Sequence, residues 1–163
     1  MPAPAAQEIV DLLRQRGETV AVAESLTGGG ISVAITAVPG ASEVFIAGIT
    51  AYMPDVKESL LKVPHSIIAD FGVVSEEVAI AMADGARDLF GATWAISTTG
   101  VAGPGPSDGQ KAGTVWVAIR GPINQSTRLQ IDGEREIVRN ATVESAMTTF
   151  ARILGTRTTE SIY

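Results

Sequence analysis

The chain has 163 residues, 45% of them hydrophobic, which suits one compact domain with a single sizeable core and is too short for two ordinary ones. Its formal charge of −6, with only 12 Lys and Arg scattered along the sequence, excludes the clustered cations that phosphate-backbone binding requires, so nucleic acid is not expected as a partner. Cysteine is absent, which excludes disulfides, a thiolate metal site and a catalytic thiol, and fits a reducing cytosol.

The N-terminal "MPAPAAQEIV" has no basic stretch followed by an apolar one. No later apolar run approaches the roughly 18 residues of a membrane span, so a soluble, cytoplasmic protein with no membrane partner is expected. Ile9, Leu12 and Leu13 fall at helical spacing, and with Gly17 as a stop they predict an amphipathic helix over 5–16. The apolar "TVAVAES" predicts a short strand. Ile31, Ala34, Ile35 and Val38 recur at i, i+3, i+4 and i+7, which predicts a helix over 28–38 ended by Pro39 and Gly40. "VFIAGITAYM" reads as a second strand, and Pro54 opens a short helix carrying Asp55, Val56, Lys57 and Leu60. Ser75 with Glu76 and Glu77 announces a helix over 76–90, and "TWAISTT" is a third strand. The Gly- and Pro-rich "GVAGPGPSDGQKAG" is a loop; the alternating "TVWVAIR" and "STRLQID" form an antiparallel pair, and residues 134–154 form the last helix. The order predicts one α/β domain over 1–163, layered α/β/α, with a mixed, mostly parallel sheet of about five strands and a late antiparallel pair.

The run Gly28, Gly29, Gly30 sits where the second helix is expected to start. Each glycine in a helix costs about 1 kcal/mol relative to alanine, so the three together cost on the order of 3 kcal/mol. Two readings offset that cost. Bare N–H groups at a helix start attract an anion or a developing oxyanion, or the missing side chains permit a tight packing contact. Ser25 ends the first strand, at the C-terminal edge where α/β active sites lie. It suits a nucleophile or a helix N-cap, and Thr27 fills the capping role equally well. The only histidine, His65, follows Pro64 and reads as a surface or loop-packing residue, so neither a Ser-His-Asp triad nor a histidine-rich metal site is expected. A neutral lysine is then the remaining base, which requires lowering its pKa from near 10.4 by roughly 3 units, or about 4 kcal/mol of environment. The lysines are Lys57, Lys62 and Lys111. Lys57 lies five positions after Tyr52, so a tyrosine and a lysine from adjacent elements converge on the first strand's edge.

The stretches "AESLTGG", "VPGASEVFIAGITAYMPDVKESLLKVP", "GVVSEEVAIAMADGAR" and "STTGVAGPGPSDGQKAGTVWVAI" together resemble the C-terminal domain of the CinA (competence and damage-inducible) proteins over roughly residues 8 to 155. The stand-alone form of that family is nicotinamide-nucleotide amidase. The resemblance implies hydrolysis of nicotinamide mononucleotide to nicotinate mononucleotide and ammonia, without metal or cofactor. It implies Ser25 as nucleophile, Lys57 as base and Tyr52 beside them, holding or relaying the proton. Thr99 and Arg139 match pocket positions. The expected oxyanion donors are backbone N–H groups around Thr27, Gly28 and Gly29, and the expected phosphate seat is Arg139 with the turn from Thr99 through Gly100 to Gly103. Leu26 stands where the family commonly has Cys or Ala, and Pro54 where it commonly has Asn. The molybdopterin-binding-like domain of longer members is not expected, and a homo-oligomer is. The alternative is a non-catalytic nucleotide-binding module or an interaction module in competence or damage response.

Overall fold

The computed structural model describes residues 3–160. Helix α1 spans Pro4–Arg16 and is closed by Gly17, whose φ of 64° lets its N–H turn back onto the last carbonyls. Strand β1 (Val20–Glu24) follows, then α2 (Gly30–Thr36), a 3₁₀ turn at Ala41–Glu43 and β2 (Phe45–Thr50). Helices α3 (Pro54–Ser59), α4 (His65–Phe71) and α5 (Glu76–Phe90) precede β3 (Trp94–Gly100), β4 (Thr114–Arg120), β5 (Gln125–Gln130) and α6 (Arg135–Glu160). The five strands form one sheet in the order β2-β1-β3-β4-β5. The pairs β1–β2 and β1–β3 are parallel, whereas β3–β4 and β4–β5 are antiparallel. This is the layered α/β architecture expected from the sequence, and no described helix is long and apolar enough to cross a membrane.

The central strand β1, "VAVAE", is buried at every position, as a strand covered on both faces must be. Its alternation assigns two different faces. Val20 and Val22 join Ile9, Leu13, Ile31, Ile35, Phe150 and Leu154 in a core under α1, α2 and α6. Ala21 and Ala23 join Ala79, Met82, Ala83 and Ala86 of α5 on the opposite face. Small side chains there let α5 lie close. A Cβ on Gly85 would fall 1.9 Å from the backbone oxygen of Leu61.

Helix α5 coincides with its expected span, because both ends carry local signals: Ser75 accepts from the N–H of Val78 at 3.2 Å, and Gly91 ends the helix at φ 62°. Helix α2 begins two residues later than expected. Gly28 and Gly29 adopt φ of 61° and 100°, so they form a left-handed turn before the helix rather than its first turn. Helix α4 was not among the expected elements; its seven residues, about two turns, include no buried residue to create a periodic pattern.

Candidate active site

Ser25 follows the last residue of β1 at the carboxyl edge of the sheet. Its N–H donates to the Thr98 carbonyl at 3.1 Å, which continues the β1–β3 ladder one residue beyond the strand. The Thr98 hydroxyl lies 3.3 Å from the same N–H and 2.9 Å from the Thr27 hydroxyl, so β3 holds the turn after Ser25 at two points. On the other side, Ala51 N–H donates to the Glu24 carbonyl at 2.8 Å and brings the end of β2 alongside. From there Pro54 starts α3, and the helix returns Lys57 toward the serine.

Lys57 is only 2% exposed. Its Nζ lies 3.0 Å from Ser25 Oγ, 2.6 Å from the Ala51 carbonyl oxygen and 3.3 Å from the Tyr52 carbonyl oxygen. No carboxylate among the described residues forms an ion pair with it. Burial without a counter-charge penalises the ammonium and lowers its pKa to about 8. The other two lysines stay apart from the serine: Lys62 donates to the Ser59 carbonyl at 2.8 Å, and Lys111 is exposed in the Gly-Pro loop. His65 is likewise at the surface, beside Glu58 at 2.9 Å.

A cavity of about 420 Å³ opens over Ser25 and Lys57. Its walls come from Tyr52, Pro54, Val73 and Val74, from Thr99 and Gly100, from the loop through Ser107, and from Arg135. Thr99 therefore stands at the cavity as expected. Its hydroxyl donates to the Val73 carbonyl at 2.7 Å and fixes the α4–α5 turn against β3.

Four expectations change in the structure. The phenol of Tyr52 does not sit between Ser25 and Lys57. The residue is 54% exposed at the mouth, its hydroxyl accepts from Arg135 Nη2 at 2.8 Å, and its backbone carbonyl is what meets Lys57. Arg139 does not line this cavity; it lines a neighbouring one that shares residues 102–105 and Arg135 with it, and donates from Nε to the Leu26 carbonyl at 3.0 Å and from Nη2 to the Thr27 carbonyl at 3.3 Å. The start of α2 already holds an anion. Buried Glu24 accepts from Ile31 N–H at 2.8 Å, and from the Ser32 N–H and hydroxyl at 3.1 and 2.9 Å. Gly28 N–H is also committed, donating to the Ser25 carbonyl at 3.0 Å, and Gly30 N–H donates to the Thr27 carbonyl at 3.1 Å, so of the three glycines in this tight turn only Gly29 has an N–H without an acceptor among the described residues.

Arg135 is the residue that sequence reading missed. It donates from Nη1 to the Gly103 carbonyl at 2.8 Å and from Nη2 to Tyr52, both neutral acceptors, at the edge of the cavity. The signal was its position one helical turn before Arg139, which places both guanidinium groups on one face of α6.

The profile of the CinA C-terminal domain matches residues 3–154. The chain belongs to this family. A CinA-like protein of Prochlorococcus marinus is 51% identical over 118 residues, covering 72% of this chain and 28% of that protein. A putative competence-damage inducible protein of Desulforamulus reducens is 42% identical over 142 residues, covering 86% of this chain and 34% of its own length. The chain thus spans about a third of the length of these curated relatives. Among solved structures, a CinA superfamily protein from Klebsiella pneumoniae superposes with a TM-score of 0.88 at 31% identity, covering 93% of this chain and 96% of that one. A competence/damage inducible protein from Agrobacterium tumefaciens gives 0.84 at 31% identity, with 95% and 98% covered. The CinA fold therefore extends over nearly the whole of this chain.

Proposed function

We propose that this CinA domain is a serine–lysine amidohydrolase that converts nicotinamide mononucleotide to nicotinate mononucleotide and ammonia. The observation that carries this reading is the set of partners around Lys57 Nζ. A neutral amine has two N–H donors and one lone pair. Two of its three neighbours are carbonyl oxygens, which only accept, and the third is the Ser25 hydroxyl, which can donate. The surroundings suit the unprotonated amine, with its lone pair toward the nucleophile.

In the first half, Ser25 Oγ attacks the carboxamide carbon while its proton passes to Lys57. The C–N bond then breaks as Lys57 returns the proton to departing ammonia, leaving a nicotinoyl ester on Ser25. In the second half, water attacks the ester carbonyl, Lys57 takes its proton, and the acid leaves as Ser25 is reprotonated. For the substrate's phosphate, Arg135 at the cavity edge replaces Arg139 as the preferred seat, since it gives up only neutral acceptors to bind an anion.

Ammonia release from nicotinamide mononucleotide tests the reading. Wild type is expected to release it, and Ser25→Ala and Lys57→Met to lose at least about a thousandfold in kcat. Arg135→Met is expected to raise KM by about tenfold or more with kcat within a few-fold, the pattern of lost uniform binding. Equal activity in wild type and the two dyad variants, or none in wild type, overturns the assignment.

A further inference from the structure

We infer that Arg139 is a positioning residue for the oxyanion-stabilising backbone beside Ser25, acting through the Leu26–Thr27 peptide. The inference rests on the acyl-transfer reading above. In a trans peptide the carbonyl and the following N–H point in opposite directions, so whatever holds the carbonyl also aims the N–H. Three successive carbonyls in the turn are held. That of Ser25 accepts from Gly28 N–H at 3.0 Å, that of Leu26 from Arg139 Nε at 3.0 Å, and that of Thr27 from Arg139 Nη2 at 3.3 Å.

The N–H groups paired with these carbonyls belong to Leu26, Thr27 and Gly28. The last is spent on Ser25, whereas those of Leu26 and Thr27 have no acceptor among the described residues. Leu26, immediately after the nucleophile, lines the cavity. Gly29 N–H is open as well, but the open donors that follow Ser25 directly in the chain are those of Leu26 and Thr27, and Arg139 fixes the peptide that joins them. The glycine is part of the same device. A Cβ on Gly28 would stand 3.1 Å from Arg139 Nη2, so a side chain there would press against the guanidinium that spans the turn.

The test reads acylation-type chemistry at Ser25 without depending on which amide is the substrate. A fluorophosphonate reacts by forming a P–O bond to Ser25 Oγ as fluoride leaves and the serine proton passes to Lys57, and the adduct is followed by intact mass. Arg139→Met is expected to label roughly a hundredfold more slowly than wild type, the scale of a small misplacement of a reacting group. Millimolar guanidinium is expected to restore at least a tenth of the wild-type rate, with no change in thermal midpoint. Rescue of the rate at constant stability is what a purely structural arginine would not show. Labelling of Arg139→Met at the wild-type rate, or a slow rate that guanidinium leaves unchanged, overturns the inference while leaving the serine–lysine reading intact. An unlabelled serine in wild type overturns both. Should Arg139→Met not fold, Arg139→Lys carries the same comparison: it keeps the charge but not the forked pair of donors, and labelling at the wild-type rate would again overturn the inference.

Discussion

Lys57 links chemistry and stability through one proton. Its pKa of about 8 lies below the ordinary 10.5 because burial disfavours the ammonium. The lone pair that serves Ser25 exists only in the neutral amine. On the proposed reaction, kcat/KM is therefore expected to rise about tenfold per pH unit below about pH 8 and to level off above it, in a steady-state pH profile. The same shift has a thermodynamic sign. Between about pH 8 and 10.5 the unfolded chain holds a proton on Lys57 that the folded chain has released, so stability rises with pH across that window. The full rise is about 3 kcal/mol for a shift of this size. Denaturant unfolding at several pH values is expected to show this gain in wild type and to lack it in Lys57→Met; parallel curves for the two proteins would refute the assignment of the proton.

The glycine run shows how one element is fitted against another. Gly28 and Gly29 make a left-handed turn, and Gly30 begins α2 at a point where α6 passes close, since a Cβ there would be 2.8 Å from Val143 Cγ2. Alanine at a helix start would by itself gain up to about 1 kcal/mol in propensity, but the clash meets a valine whose χ1 is stiff in a helix. Overpacking wins, and Gly30→Ala is expected to destabilise by about 1–2 kcal/mol. Adding Val143→Ala should relieve the contact, so that the double variant is more stable than the sum of the single effects by about 1 kcal/mol in a double-mutant cycle. Strict additivity would show that the two residues do not share the contact. The extent of α5 was legible because Ser75 and Gly91 act on their own neighbours. The start of α2 was not, because the sign of a glycine's φ is set by the turn it must complete. The roles of Arg135 and Arg139 were not legible for a related reason. They share one face of α6, and how that helix docks decides which guanidinium reaches the cavity and which reaches the carbonyls of the turn.

At the scale of the whole molecule, α6 spans the distance between two fastenings. Its start carries Arg135 and Arg139 to the site, and its far end carries Arg157 to Glu18, just before β1. Burial alone would raise the pKa of Glu18, but the Trp94 indole N–H and the Arg157 guanidinium, each 2.7 Å away, outweigh it and hold the pKa below 4.5. A lowered carboxylate pKa contributes stability that is present above the unfolded value and lost as pH falls through the folded one. Glu18→Gln is thus expected to flatten the loss of stability below pH 4.5 in acid titrations of the unfolding midpoint, and an unchanged acid limb would count against the pairing. The sequence pattern was sufficient for the layers, since alternation in "VAVAE" and "TVWVAIR" is local, and the helices between the early strands pointed to their parallel pairing. It also placed Ser25 and Lys57, whose motif carries a family resemblance. It could not place the phenol of Tyr52, because its partner lies 83 residues away.

The carboxylate of Glu24 has a consequence for traffic through the cavity. By occupying the start of α2 with the chain's own anion, it removes that helix end as a competitor for a charged ligand near the serine. The standing positive charge at the cavity is then at its outer edge, on Arg135, and the inner end has only an amine that titrates near pH 8. A ligand with a phosphate at one end and an amide at the other has a single favoured way in. The carboxylate made by the proposed hydrolysis would arise beside Lys57, which attracts it as the ammonium below about pH 8 and not as the neutral amine above, so the hold on the product would itself vary with pH.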